Sequence, residues 1–117
     1  MAYTLYHYPK CSTCRKAIKF LDERDIPYKK VDIVESPPSA AELKRMLAHL
    51  HGQTKRLFNT SGELYREMGL KDKVAAMKDS EAIALLAQHG KLIKRPFLLG
   101  KDGGTVGFKE EVWKALV

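Results

Sequence analysis

The sequence predicts an α/β fold: a mixed four-stranded sheet with flanking helices, in one domain over residues 1–117, with a helical insertion at about 39–89. Three observations predict it. A short alternating apolar segment, a helical pattern and a second extended segment open the chain, which reads as β-α-β. Near the other end, Asp102-Gly103 stands between two short apolar runs, a hairpin signal. Between these lie amphipathic helical patterns, with no linker and no internal repeat. A β-α-β unit needs a parallel pair joined by a right-handed crossover, and the hairpin adds antiparallel strands. One mixed sheet meets both demands.

The elements follow in order. Tyr3 to His7 alternates and is rich in aromatic and apolar types, so it reads as the first strand. Pro9 to Thr13 breaks into a helix of about Ser12 to Arg24, with Ala17, Ile18, Phe20 and Leu21 at helical spacing. Asp25-Ile26-Pro27 ends it, and Tyr28 to Ile33 reads as the second strand. After the loop Ser36-Pro37-Pro38, Ser39 and Glu42 form a capping-box signature for a helix to about Leu50. Thr60 and Glu63 repeat that signature before a short helix to Met68, with Gly69 as its C-terminal cap. A further helix, about Asp79 to His89, ends at Gly90. Lys91 to Ile93 leads through Arg95-Pro96 into the apolar run Phe97-Leu98-Leu99. Gly100 to Gly104 turns the chain, Thr105-Val106-Gly107 returns, and Glu110 to Val117 forms a terminal amphipathic helix in which Trp113 is expected to pack inward.

Composition narrows the function classes. Hydrophobic residues make up 44% and charged residues 30%, ordinary for a water-soluble fold. The longest apolar runs, such as Ile83 to Ala87, are far short of the ~20 residues that span a bilayer. The segment Met1 to His7 lacks the basic start and apolar stretch of a signal peptide, so a cytoplasmic location and no membrane partner are expected. The net charge is +7, but the basic residues are scattered, in runs of no more than two and without interleaved aromatics. That argues against direct nucleic-acid binding, which calls for a clustered patch. The excess charge favours anionic small molecules or acidic protein surfaces.

The chemistry concentrates in Cys11-Ser12-Thr13-Cys14. A C-x-x-C where a strand hands over to a helix reads as a redox motif of the thioredoxin-like kind. The thiolate is the nucleophile, and free N–H groups at a helix N-terminus favour negative charge. Lys10, Arg15 and Lys16 add positive charge nearby, so Cys11 is expected to titrate below ~7.5, as helix-N-terminal thiols do. Cys14, one turn on, can attack a mixed disulfide on Cys11. Two inert core cysteines are the plainer alternative. A zinc site is disfavoured, because four ligands are usual and His49-Leu50-His51 has the wrong spacing; no metal is expected. His7 beside the motif can tune Cys11 or simply end a strand. Arg95-Pro96 is either an edge-strand proline or a cis peptide facing the cysteines, the arrangement of thioredoxin-like folds.

These segments resemble the ArsC-type arsenate reductases and their Spx-type relatives. Tyr6-His7-Tyr8-Pro9-Lys10-Cys11-Ser12-Thr13-Cys14-Arg15 is similar to the family's Y-H-x-P-x-C-x-T-x-R, Pro37-Pro38-Ser39 to its P-P-S, and Leu92-Ile93-Lys94-Arg95-Pro96 to its L-I-x-R-P. The resemblance implies a thioredoxin-like fold of ArsC type, Cys11 as nucleophile, Cys14 as resolving thiol and Arg15 in the catalytic group. It implies Arg95 as an oxyanion ligand, through bidentate contact, with Pro96, Thr13, Lys10 and His7 around it. The family's other two oxyanion arginines fall near Asn59 and Phe108, so arsenate itself is a doubtful substrate. The expected activity is thiol–disulfide oxidoreduction on a small oxyanion or disulfide. No bound cofactor is expected. Glutathione or another thiol, or a glutaredoxin- or thioredoxin-type protein, would be the reductant. The alternative is an Spx-like redox-sensing regulator that binds the C-terminal domain of the RNA polymerase α subunit. Gly52 lies near the polymerase-contact segment of that branch, or else terminates a helix. A monomer is expected.

Overall fold

The computed structural model describes residues 3–117. Met1 and Ala2, part of the N-terminus read above as no signal peptide, lie outside the described residues. The chain runs β1 (Tyr3–His7), α1 (Ser12–Glu23), β2 (Tyr28–Asp32), α2 (Ala40–His49), α3 (Glu63–Glu67), α4 (Asp79–Gln88), β3 (Phe97–Leu99), β4 (Gly104–Val106) and α5 (Glu110–Leu116). The sheet order is β2-β1-β3-β4. β1 pairs parallel with β2 and antiparallel with β3, and β3 pairs antiparallel with β4. This is the mixed four-stranded sheet with flanking helices that the sequence predicts, a thioredoxin-like arrangement.

Strand alternation divides the core between the two faces of the sheet. Leu5 and its partner Leu98 bury against Ala17, Phe20 and Leu21 of α1 and Trp113 of α5. Tyr6 and its partner Phe97 point the other way, into a cluster with Leu43, Met46, Ile83 and Leu86 from α2 and α4. The central pair β1 and β3 is therefore covered on both sides, and the loops at its ends spring from this buried pair. One polar tie reinforces this. The buried Tyr6 hydroxyl donates to both Glu42 oxygens, at 2.9 and 3.0 Å, and Glu42 completes the Ser39 capping box of α2. Among the described residues, no helix is long and apolar enough to cross a membrane.

One local reading needs correction. Thr60 does not cap α3: Gly62 is the N-cap and makes no side-chain cap bond. The Gly62 N–H bonds the Asn59 carbonyl at 3.0 Å, and that turn moves the helix start on, so Glu63 becomes its first residue instead of its third. The helix expected to end at Gly90 does so. His89 caps α4 and Gly90 starts a 3₁₀ turn, Gly90–Leu92. A side chain at Gly90 would fall on the Ile33 backbone carbonyl, so glycine is needed for close approach of two backbones. Gly69 does adopt the left-handed conformation expected of a cap, φ 62°.

Candidate functional site

The turn after β1 delivers Cys11 to the start of α1. The Cys11 N–H bonds the Tyr8 carbonyl at 3.0 Å. Cys11 is itself the N-cap, with extended backbone (φ −90°, ψ 113°), and its sulfur accepts the Cys14 N–H at 3.3 Å. A serine or aspartate oxygen usually fills this role; here the Cys11 sulfur fills it. Cys11 is half-buried and Cys14 fully buried, both as free thiols.

The two sulfurs are driven apart in acidity. Partial burial would raise the Cys11 thiol, but hydrogen bonds from the Cys14 side chain and backbone, together with the Arg95 guanidinium, outweigh it and hold Cys11 below its ordinary 9.0. Cys14 is pushed up to about 12, first by burial and then by its hydrogen bond to Cys11. Cys11 is thus the more acidic of the two and Cys14 the less, the ordering that an attacking and a resolving thiol need.

Arg95 meets Cys11 at the same end of the sheet: β3 runs antiparallel to β1 with Phe97 opposite Tyr6, so the start of β3 lies beside the end of β1. The Arg95-Pro96 peptide is cis, Pro96 precedes β3, and the guanidinium lies over the Tyr8 ring, 4.6 Å from its centre. The other predicted residues spread around this pair. Thr13, on the first turn of α1, lines the adjoining cleft. The Arg15 guanidinium donates to the Pro9 carbonyl at 3.0 Å, bracing the loop. Lys10 is exposed in that loop. His7 ends β1 opposite Asp32. Partial burial and the Lys30 charge hold its imidazole below its ordinary value, against the pull of Asp32.

Beside the cysteine loop opens a cleft of about 740 Å³, and Lys55, Arg56, Lys94, Arg95 and Lys109 all line it; none of its lining residues is acidic. Backbone pairing builds it. Phe58 and Ile93 form an isolated antiparallel bridge, and the Lys94 N–H bonds the Leu57 carbonyl at 2.8 Å. The doublets Lys55-Arg56 and Lys94-Arg95 are thereby laid side by side. The Gly107 N–H bonds the Pro96 carbonyl at 2.8 Å, which brings the Lys109 segment to the same cleft. The sequence reading missed this cluster, because the charges are scattered along the chain and converge through contacts between distant segments. Its only trace in the sequence is the pair of Lys-Arg doublets.

A family model described as the ArsC family matches residues 6–116. The uncharacterized protein YusI of Bacillus subtilis is 47% identical over 111 residues, 95% of this chain and 94% of that protein. The global transcriptional regulator Spx of Streptococcus mutans is 27% identical over 114 residues, 97% of this chain and 82% of that protein. A solved structure of the arsenate reductase from Vibrio cholerae superposes with a TM-score of 0.86 at 30% identity, covering 100% of this chain and 98% of that one. The chain belongs to the ArsC family.

Proposed function

We propose that this ArsC-family chain is a thiol–disulfide oxidoreductase in which Cys11 attacks and Cys14 resolves. The observation that carries the reading is the Cys11 sulfur at the N-cap of α1, receiving the Cys14 N–H at 3.3 Å with Arg95 beside it. In the first step the Cys11 thiolate attacks one sulfur of a substrate disulfide, and the other half leaves as a thiolate. Cys14 then gives up its proton and attacks the Cys11 sulfur, releasing the second half. The pair ends oxidised and the substrate has taken up two electrons. A thiol reductant other than the thiol released, such as glutathione or a glutaredoxin- or thioredoxin-type protein, returns the pair to the dithiol.

The raised acidity threshold of Cys14 suits this order. Two of its causes are the hydrogen bond to Cys11 and the charge on Cys11. Both vanish once Cys11 is tied in a mixed disulfide, so Cys14 becomes easier to ionise at the stage that needs it. Arsenate is not favoured as the substrate. Phe108 packs edge-on against Phe20 and Trp113, at 5.6 and 5.1 Å between ring centres, and Asn59 carries no charge. The test is turnover of the wild type and of Cys11→Ser with a glutathione-linked electron supply. Wild-type turnover well above the variant's is expected; equal rates overturn the reading.

A second reading, a redox-switched regulator, draws on the Spx relatives and on Gly52. This glycine is exposed beyond α2, but its left-handed backbone (φ 75°) and its N–H bond to the Leu47 carbonyl at 2.9 Å show that it also terminates that helix. Titration against the isolated RNA polymerase α C-terminal domain tests it, and absence of binding in both redox states rejects it.

A further inference from the structure

We propose that the cleft formed by Lys55, Arg56, Lys94, Arg95 and Lys109 binds the anionic part of a small thiol that carries two or more carboxylate or phosphate groups, presented to Cys11 as a disulfide. The inference rests on the oxidoreductase reading and names its substrate class. Size is the first argument. The cleft is about 740 Å³, within the range of sites for small organic ligands. A single oxyanion, of the order of a few ~30 Å³ water volumes, would leave most of it empty.

Charge is the second argument. Single exposed lysines contribute little, but five cations lining one concavity sum their fields and raise the local concentration of anions. The charge is also directional. The smaller hollow on the other side of Arg95 includes Glu63 and Glu67 with Lys91, so an anion at Arg95 is drawn toward the larger cleft and away from the smaller. Placement is the third argument. Thr13 and Arg95 line the cleft; Thr13 is two residues from Cys11, and Arg95 acts on its sulfur. Cys11 is not itself a lining residue, so a disulfide held with its charges in the cleft extends past Thr13 and Arg95 to present its sulfurs to Cys11. The Cys11 thiolate attacks the nearer sulfur, one thiolate leaves, and Cys14 completes the exchange, so the two electrons of the pair pass to the substrate disulfide.

The test follows oxidation of the full-length reduced protein by four disulfides: glutathione disulfide (carboxylates), coenzyme A disulfide (phosphates), bis(hydroxyethyl) disulfide (neutral) and cystamine (cationic). Each rate is normalised to the same disulfide's reaction with free dithiothreitol. At least one anionic disulfide is expected to react about tenfold or more faster than the neutral one at 20 mM salt, with cystamine slowest. That advantage should shrink toward parity at 0.5 M salt. The faster anionic arm identifies carboxylate or phosphate as the recognised group. In the variant Lys55→Gln/Arg56→Gln/Lys94→Gln/Lys109→Gln the anionic-to-neutral ratio should fall about tenfold. If that variant does not fold, the salt dependence of the wild type decides. Equal normalised rates for anionic and neutral disulfides, insensitive to salt, overturn the substrate class while leaving the oxidoreductase reading in place. Failure of every disulfide to oxidise the pair overturns both.

Discussion

The Arg95 guanidinium stands 4.6 Å over the centre of the Tyr8 ring, and the same guanidinium acts on the Cys11 thiol. Tyr8 is three residues before the nucleophile and Arg95 is next to β3, so a cation–π contact joins the two ends of the site. Such contacts are worth about 0.5–1 kcal/mol where solvent reaches them. Tyr8 is thus a positioning residue: it parks Arg95 where the charge favours the thiolate. Tyr8→Leu should slow alkylation of Cys11 at pH 7 by about two- to fivefold and move its pH profile upward. Tyr8→Phe, which keeps the ring, should match the wild type.

The two cysteines should differ sharply in reactivity. With Cys11 held below 9.0 and Cys14 pushed up to about 12, iodoacetamide at pH 8 should modify Cys11 alone in the native protein and both after denaturation. Cys14→Ser should accumulate a stable mixed disulfide on Cys11, read as the added mass, whereas the wild type passes on to the Cys11–Cys14 disulfide.

Much of this site is legible in the sequence. C-x-x-C after a strand, a helix beginning at Ser12, and Arg95-Pro96 before an apolar run are local signals, and the structure brings Cys11, Cys14 and Arg95 together. Patterns that depend on distant segments are not legible. Thr60 and Glu63 carry the spacing of a capping box, but the Asn59–Gly62 turn spends those residues before α3 begins. Gly90 looks like a helix stop, yet its need for glycine comes from Ile33, far back in the chain. The cationic cleft depends on the bridge between Phe58 and Ile93, and neither partner advertises the other. The short 3₁₀ turns Thr54–Leu57, Leu70–Asp72 and Val74–Ala76 have too few residues to show a period.

Gly90→Ala should be costly. The added carbon meets the Ile33 backbone, which cannot rotate aside as a side chain would. Overpacking of this kind costs about 1–3 kcal/mol, and a backbone collision belongs at the upper end. Urea denaturation should show a loss of about 3 kcal/mol or more, or no folded protein.

Stability should fall at alkaline pH through Cys14. Its folded value, about 12, lies above the ordinary 9.0, so the folded state holds this proton more tightly than the unfolded chain. The contribution is complete below pH 9 and is lost as pH rises from 9 toward 12. For one proton, the folding constant falls by up to about tenfold per pH unit in that window. Denaturant midpoints of the reduced protein at pH 8 and pH 10.5 should separate, and Cys14→Ala should narrow the gap.

The most direct test is titration of the Cys11 thiolate in the reduced protein, followed by absorbance near 240 nm and by the pH dependence of alkylation, with Cys14→Ser as the single-thiol control. The thiolate should appear at a pH clearly below 9.0 and its midpoint should rise in Arg95→Leu. A midpoint at or above 9.0, unchanged by loss of Arg95, would contradict the assignment of Cys11 as the attacking group.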